Sequence, residues 1–173
     1  MAVMMANSRR DLEIHRYPAP LYLVVMLVAL VVQALLPRIL GSRFWFDIPL
    51  VITIYFALAR RSPIGGMLLG GVMGIFQDAL TGHAIGINGI AKTIAGFMAA
   101  SIGVRIDVQN TIIRIMLNFG LTVLCSAIYL FIYRFLLGME FSWNWPNTLI
   151  QAIGNSIVAL FIFPLLDRFQ VRE

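Results

Sequence analysis

The sequence predicts an all-α membrane protein, a bundle of about six transmembrane helices in one domain. Of its 173 residues, 60% are hydrophobic and only 12% are charged, whereas soluble domains carry about 25% charged residues. The mean hydropathy is +0.88, which is too apolar for a soluble globule, because a globule of this size still exposes about a third of its chain's surface. Lipid is the solvent in which such a surface is stable.

Six apolar segments account for the predicted helices, since about 20 apolar residues cross the ~30 Å hydrocarbon core. They are Ala19–Leu36, Phe46–Ala59, Ile64–Leu80, Ile85–Val104, Ile112–Leu137 and Leu149–Leu166. The second segment is short and the third is rich in glycine, so a re-entrant pair with five crossings is the alternative. The transmembrane domain covers residues 19–167, with polar tails at 1–18 and 168–173.

The positions of the basic residues predict the orientation, because cytoplasmic loops carry the excess of Lys and Arg. If both termini are cytoplasmic, most arginines lie at inner helix ends, and the outer ends hold only Arg38, Arg43 and Arg134. We therefore expect a multi-pass membrane protein with both termini in the cytoplasm. The net charge of +5 does not indicate a nucleic-acid partner, because the basic residues are dispersed and form no single basic face.

The chemistry of an enzyme or a metal site is not recognisable in the sequence. His15 lies in the N-terminal tail, His83 lies in a predicted outer turn, and the single cysteine, Cys125, lies inside an apolar segment. No nucleophile elbow and no phosphate-binding glycine loop is present. We expect no catalytic activity and no cofactor.

The third and fourth segments carry facing stripes of small and polar residues at four-residue spacing, which places each stripe on one helix face. The stripes are Gly66, Gly70, Gly74 and Asp78 on one segment, and Asn88, Lys92, Gly96 and Ala100 on the next. Glycines on such a face allow close helix packing in lipid.

Lys92 needs a partner, because an ionisable residue within a span faces protein or a water-filled cavity. Asp78 is the only acidic residue expected near its depth, so we predict that Asp78 pairs with Lys92 across the turn at 81–86. The pair either fixes how the two helices dock or, together with Asn88, forms a pocket that binds a ligand.

The last two segments predict a polar seam inside the bundle. Polar residues recur every four positions, at Arg114, Asn118, Thr122 and Ser126 on the fifth segment and at Gln151 and Asn155 on the sixth. The seam either joins the helices by hydrogen bonds or lines a small water-accessible cavity.

The stretch 66–82 followed by 86–93 resembles the MreD family of bacterial rod shape-determining membrane proteins. Its members typically show a glycine-rich span that ends in a Gln-Asp pair, here Gln77-Asp78, then a glycine-containing turn and a Leu-Gly-x-Asn/His-like opening of the next span. In this sequence Ile85 stands where leucine is common.

The resemblance implies a non-enzymatic component of the elongation complex that supports peptidoglycan synthesis and cell shape. Its main partner would be an MreC-like bitopic membrane protein, beside the actin-like MreB, a RodA-type glycosyltransferase and its transpeptidase. The family is also similar in fold to the substrate-binding components of energy-coupling-factor vitamin transporters, which implies an outward cavity ringed by Asp78, Asn88 and Lys92. A small-molecule-binding component of a transporter is therefore the alternative function.

Overall fold

The computed structural model describes residues 18–40, 46–82, 84–106, 110–138 and 144–169. Its helices are α1 Ala19–Leu40, α2 Ile48–Arg60, α3 Pro63–Thr81, α4 Ile87–Gly103, α5 Thr111–Phe131 and α6 Trp145–Asp167, and a π-helical turn, Ile132–Leu136, continues α5. For these residues the predicted all-α fold of six helices is confirmed. Both histidines, nearly all of the predicted N-terminal tail and most of the C-terminal tail lie outside the described residues.

Four of these helices are long and apolar enough to cross a membrane, as judged by length and composition. They are α1, α3, α5 with its π turn, and α6. α2 has only 13 residues, which is ~20 Å of helix at 1.5 Å per residue, and α4 has 17. The chain is thus a multi-pass membrane protein, while the number of crossings, six or five, stays a prediction.

α2 begins and ends at residues with clear stop signals. Asp47 is its N-cap, and its carboxylate accepts a hydrogen bond from the Leu50 amide at 3.1 Å. Pro49 follows within the first turn, where a missing N–H costs nothing. At the other end Arg61 adopts a left-handed conformation, with φ of 51°, and this terminates the helix.

α2 is the central helix of the bundle, and its residues are buried continuously from Pro49 to Ala59. One apolar cluster joins it to α1, α3 and α6 through residues such as Phe56, Met73 and Phe163. A second cluster joins it to α4 and α5 through residues such as Ile54 and Leu121. A helix that is apolar on all sides is expected at such a position.

α3 and α4 pack antiparallel with their backbones in contact. A Cβ atom added to Gly66, Gly70 or Gly74 would overlap the carbonyl oxygens of Gly96, Lys92 and Asn88, respectively. Gly96 is equally restricted, because its own Cβ would overlap the carbonyl oxygen of Gly66. The structure thus places all four glycines of the predicted stripes at one close helix contact.

The helices run alternately up and down, so the described part of the bundle has two distinct ends. We call one the arginine end, since Arg60, Arg61, Arg105, Arg114 and Arg168 all lie there, at the end of α2, after α4, at the start of α5 and after α6. We call the other the aspartate end, after Asp47 and Asp78.

Candidate functional site: a buried polar network

Asp47 connects three helices at the aspartate end. Besides capping α2, its carboxylate accepts a hydrogen bond from Lys92 Nζ of α4 at 2.5 Å. Its backbone amide donates to Asn155 Oδ1 of α6 at 2.8 Å. The residues on either side of it are held by Gln33 of α1, which donates to the Phe46 carbonyl and accepts from the Ile48 amide, both at 3.0 Å. The start of α2 is therefore anchored to α1, α4 and α6.

Lys92 pairs with Asp47, so the predicted ion pair between Asp78 and Lys92 is wrong. The Lys92 side chain is 1% exposed, and its ammonium group also donates a hydrogen bond to Asn88 Oδ1 at 3.1 Å. The prediction assumed that Asp78 was the only acidic residue at this depth. Because α2 is short and begins inside the bundle, Asp47 lies at the same depth and provides the carboxylate.

Asp78 instead caps the N-terminus of α4. Its carboxylate accepts hydrogen bonds from the backbone amides of Gly86 at 2.8 Å and Asn88 at 3.0 Å, and from Asn88 Nδ2 at 2.6 Å. The N-cap residue of α4 is Gly86, with φ of 103°, which has no side chain to perform this role. A carboxylate is favoured at a helix N-terminus, where unpaired N–H groups and the helix dipole point toward it.

Asn88 links the two aspartates into one network. Its amide donates to Asp78 through Nδ2, and its Oδ1 accepts from Lys92, which in turn binds Asp47. Asp78, Asn88 and Lys92 thus lie in one chain of contacts, in which Asn88 stands between Asp78 and Lys92.

The predicted seam between α5 and α6 continues this network. Asn155 Nδ2 donates to Thr122 Oγ1 at 3.2 Å, so that Asp47, Asn155 and Thr122 form a connected set. Ser126 Oγ donates to Gln151 Oε1 at 3.4 Å one turn further along α5. Side chains from α3, α4, α5 and α6 and from the N-cap of α2 therefore form the network, and the Gln33 side chain of α1 binds the backbone on either side of Asp47.

Arg114 of the predicted seam lies in a separate cluster near the arginine end. Its guanidinium donates to Asp167 Oδ2 at 2.6 Å and lies 5.9 Å from the centre of the Tyr55 ring. Tyr55 donates its hydroxyl to the other oxygen of Asp167 at 2.7 Å. The cluster joins α2, α5 and α6 a second time. Asn118, midway along α5 between this cluster and Thr122, is fully buried, and neither the nitrogen nor the oxygen of its carboxamide has a hydrogen-bond partner among the described residues.

Comparison with known proteins identifies the family. The chain matches the family model described as rod shape-determining protein MreD over residues 14–169. It belongs to the MreD family. No curated protein and no solved structure gave a match. The whole polar network lies inside the matched range, as does the glycine-rich stretch whose resemblance to MreD proteins the sequence had shown.

Sequence reasoning missed four residues of this MreD-family protein: Gln33 and Asp47 of the network, and Tyr55 and Asp167 of the separate Arg114 cluster. Asp47 was detectable, since an acidic residue directly before an apolar segment with proline in its first turn is a helix N-cap signal. It is also an acidic residue at the edge of an apolar span, where a charged side chain is expected to pair with a basic one. Tyr55 and Asp167 are 112 residues apart, and no local pattern indicates their contact.

The chemistry of the network is that of joining helices. Its donors and acceptors are directed to one another, with the Lys92–Asp47 ion pair inside it, and the Arg114–Asp167 ion pair joins helices in the same way in the separate cluster. Within the described ranges no three His, Cys, Asp or Glu residues lie close enough to hold a metal ion. In lipid such hydrogen bonds and close packing decide how helices associate, because the hydrophobic effect contributes little there.

Proposed function

We propose that this MreD-family protein is a non-enzymatic component of the bacterial cell-wall elongation complex and maintains rod shape by binding other membrane proteins. Its chief partner is an MreC-like bitopic protein, within a complex that contains MreB, a RodA-type glycosyltransferase and its transpeptidase. The observation that carries the proposal is the family match over residues 14–169.

The arrangement of polar and apolar groups supports a scaffold role. Most of the polar side chains in the interior bind one another, which stabilises one relative position of the helices. The outward faces are apolar. α1 is the least buried of the four span-length helices, because only 11% of its most apolar 18-residue stretch lies inside the protein. A partner that spans the membrane once would meet a surface of fixed shape, which is what helix docking in lipid requires.

The proposed orientation places the arginine end in the cytoplasm. Five arginines lie there, Arg60, Arg61, Arg105, Arg114 and Arg168, whereas the described part of the aspartate end has Arg38 and Arg134. α1 begins and α6 ends at the arginine end, so both termini would be cytoplasmic. Fusions of a cytoplasmic fluorescent reporter and a periplasmic phosphatase after residues 62, 83, 107 and 140 test this. Phosphatase activity at 83 and 140 and fluorescence at 62 and 107 are expected; the reverse pattern would contradict the orientation.

The test of function is depletion in the rod-shaped host followed by complementation. Cells that lack the protein should become round, and the wild-type chain should restore rods at matched protein levels. Photo-crosslinking residues placed at exposed positions of α1, α3 and α6, such as Leu27, Leu68 and Ile157, should capture the MreC-like protein from at least one face, and a buried position, Ala95, should not. Rods that persist after depletion would overturn the proposal.

The alternative function, a small-molecule-binding component of a transporter, requires free polar groups around Asp78, Asn88 and Lys92. Their hydrogen bonds to one another and to Asp47 favour the scaffold. The proposed likeness to energy-coupling-factor components would gain support if a small molecule copurified with the wild-type protein. Lys92→Met should then abolish binding of that molecule while the protein remains folded.

A further inference from the structure

Asn118 differs from the other two buried asparagines of the bundle. Asn88 and Asn155 are 4% and 0% exposed, and in each both the amide nitrogen and the amide oxygen have protein partners. Asn118 is also 0% exposed, yet within the described part of the chain neither its Nδ2 nor its Oδ1 has a protein partner. Buried polar groups are nearly always hydrogen-bonded, and lipid offers no replacement partner. The carboxamide therefore indicates a ligand.

The position of Asn118 shows what it would connect. α2, α5 and α6 meet through polar contacts at two levels: Asp47, Thr122 and Asn155 form the first, and Tyr55, Arg114 and Asp167 form the second. On α5 the two levels are eight residues apart, which is ~12 Å of helix. Asn118 lies halfway, one turn from Thr122 and one turn from Arg114. It is the polar residue of α5 that lies between two levels whose side chains already have hydrogen-bond partners.

The chemistry of the site restricts the ligand to a small molecule that both donates and accepts hydrogen bonds. The carboxamide provides two donor hydrogens and an acceptor oxygen. Thr122 Oγ1, on the same face one turn away, donates to the backbone carbonyl of Asn118 and accepts from Asn155 Nδ2, and a hydroxyl oxygen has a second acceptor position. Complete burial excludes a lipid headgroup and the side chain of another protein. Water satisfies these requirements, since a buried water typically makes two to four hydrogen bonds.

We propose that Asn118 is a buried water-binding site, at which water bridges its carboxamide to Thr122 and fills the polar level between the two clusters. The site is independent of the proposed function, because it depends only on the interior of this chain. It makes the predicted seam hydrated at Asn118, whereas Asn155 of the same seam and Asn88 of α4 are dry.

Solid-state NMR of the protein in lipid bilayers tests the proposal on the wild-type chain. Protein with ¹³C,¹⁵N-asparagine and ¹³C-carbonyl leucine identifies the backbone amide of Asn118 without a mutation, because Leu117-Asn118 is the only Leu-Asn pair in the sequence, and the labelled asparagine carbons link that amide to its own side-chain amide. Carbonyl-labelled isoleucine and glycine assign Asn88 and Asn155 in the same way, since Ile87-Asn88 and Gly154-Asn155 are also unique pairs. Magnetisation transfer from water should reach the Asn118 side-chain amide at least several-fold faster than those of Asn88 and Asn155, the matched buried controls. Asn110 and Asn144 are exposed references. Transfer at Asn118 no faster than at the two buried controls would overturn the proposal.

Thermal unfolding of Asn118→Leu gives a second, independent measurement. Leucine in place of an unpartnered amide raises the midpoint, whereas leucine in place of a water-bound amide removes hydrogen bonds and lowers it. We expect a lower midpoint, by less than Asn155→Leu lowers it, because Asn155 has two direct protein partners. A raised midpoint for Asn118→Leu would overturn the proposal. The NMR measurement decides the question even if the variant fails to fold.

Discussion

The ammonium of Lys92 lies 2.5 Å from the carboxylate of Asp47, and both side chains are at least nine-tenths buried. The two residues come from different helices and are 45 positions apart in the chain. Because Asp47 also caps α2 and its amide binds Asn155, this ion pair holds the start of the central helix against α4 and α6.

Replacing Lys92 by Met should lower the free energy of unfolding by about 3–5 kcal/mol, because it leaves the Asp47 carboxylate buried without its cation. The measurement is unfolding of the purified protein in detergent micelles. The double variant Asp47→Asn/Lys92→Met should lose less unfolding free energy than the two single variants lose together, by about 1 kcal/mol or more. The reason is that asparagine still caps α2 and leaves no unpaired buried charge. Arg134→Met, an exposed cation, is the control. Normal stability and protein level with loss of rod shape would show that Lys92 acts directly in function.

Asp78→Leu should expose the first turn of α4 to exchange, because the Gly86 and Asn88 amides lose their acceptor. A lost cap lowers the free energy of unfolding by about 0.5–2 kcal/mol. Asp78→Asn should lower it by less, because the asparagine Oδ1 can still accept a hydrogen bond from the α4 amides. Hydrogen–deuterium exchange of residues 84–92 should accelerate in both variants, and more in Asp78→Leu than in Asp78→Asn. Exchange of α6 should stay unchanged. Equal protection in wild type and Asp78→Leu would refute the capping role.

Gly70→Ala should destabilise the protein by about 1–3 kcal/mol or more, as overpacking does, because the new methyl group overlaps the Lys92 carbonyl and must separate α3 from α4. Gly120→Ala is the matched control, since nothing lies within 4 Å of a Cβ atom there. In that helix alanine should be neutral or stabilising by up to about 1 kcal/mol. Thermal midpoints of the two purified variants give the comparison, and equal midpoints would contradict the close contact.

Tyr55→Phe should cost about 1–2 kcal/mol, because it removes a hydrogen bond to the Asp167 carboxylate. The same change should cost less in the Asp167→Asn background, where the acceptor has lost its charge. Unfolding free energies of the two singles and the double variant measure the coupling. Strictly additive losses would mean that the 2.7 Å contact contributes nothing to stability.

The helices and their faces could be predicted from the sequence because they depend on local spacing. Apolar segments determine where helices form, and the four-residue repeats of Gly66–Gly70–Gly74 and Asn88–Lys92–Gly96 determine which residues share a face. The partner of Lys92 could not be deduced in this way. It depends on how deep the start of α2 lies, and that depth follows from the packing of a helix of only 13 residues. The same holds for Asp167 and Tyr55, whose contact exists only once α2 and α6 are side by side.

The cap that α4 receives from Asp78 has a consequence for biogenesis. The fourth helix carries a lysine and has no capping side chain of its own, so entering lipid alone would be unfavourable for it. Both residues that satisfy it, Asp47 and Asp78, precede it in the chain and are synthesised first. We expect α3 and α4 to leave the translocon as a hairpin against an already inserted α2, so that a chain truncated after residue 105 and released from the ribosome yields a protease-resistant core and one truncated before Lys92 does not.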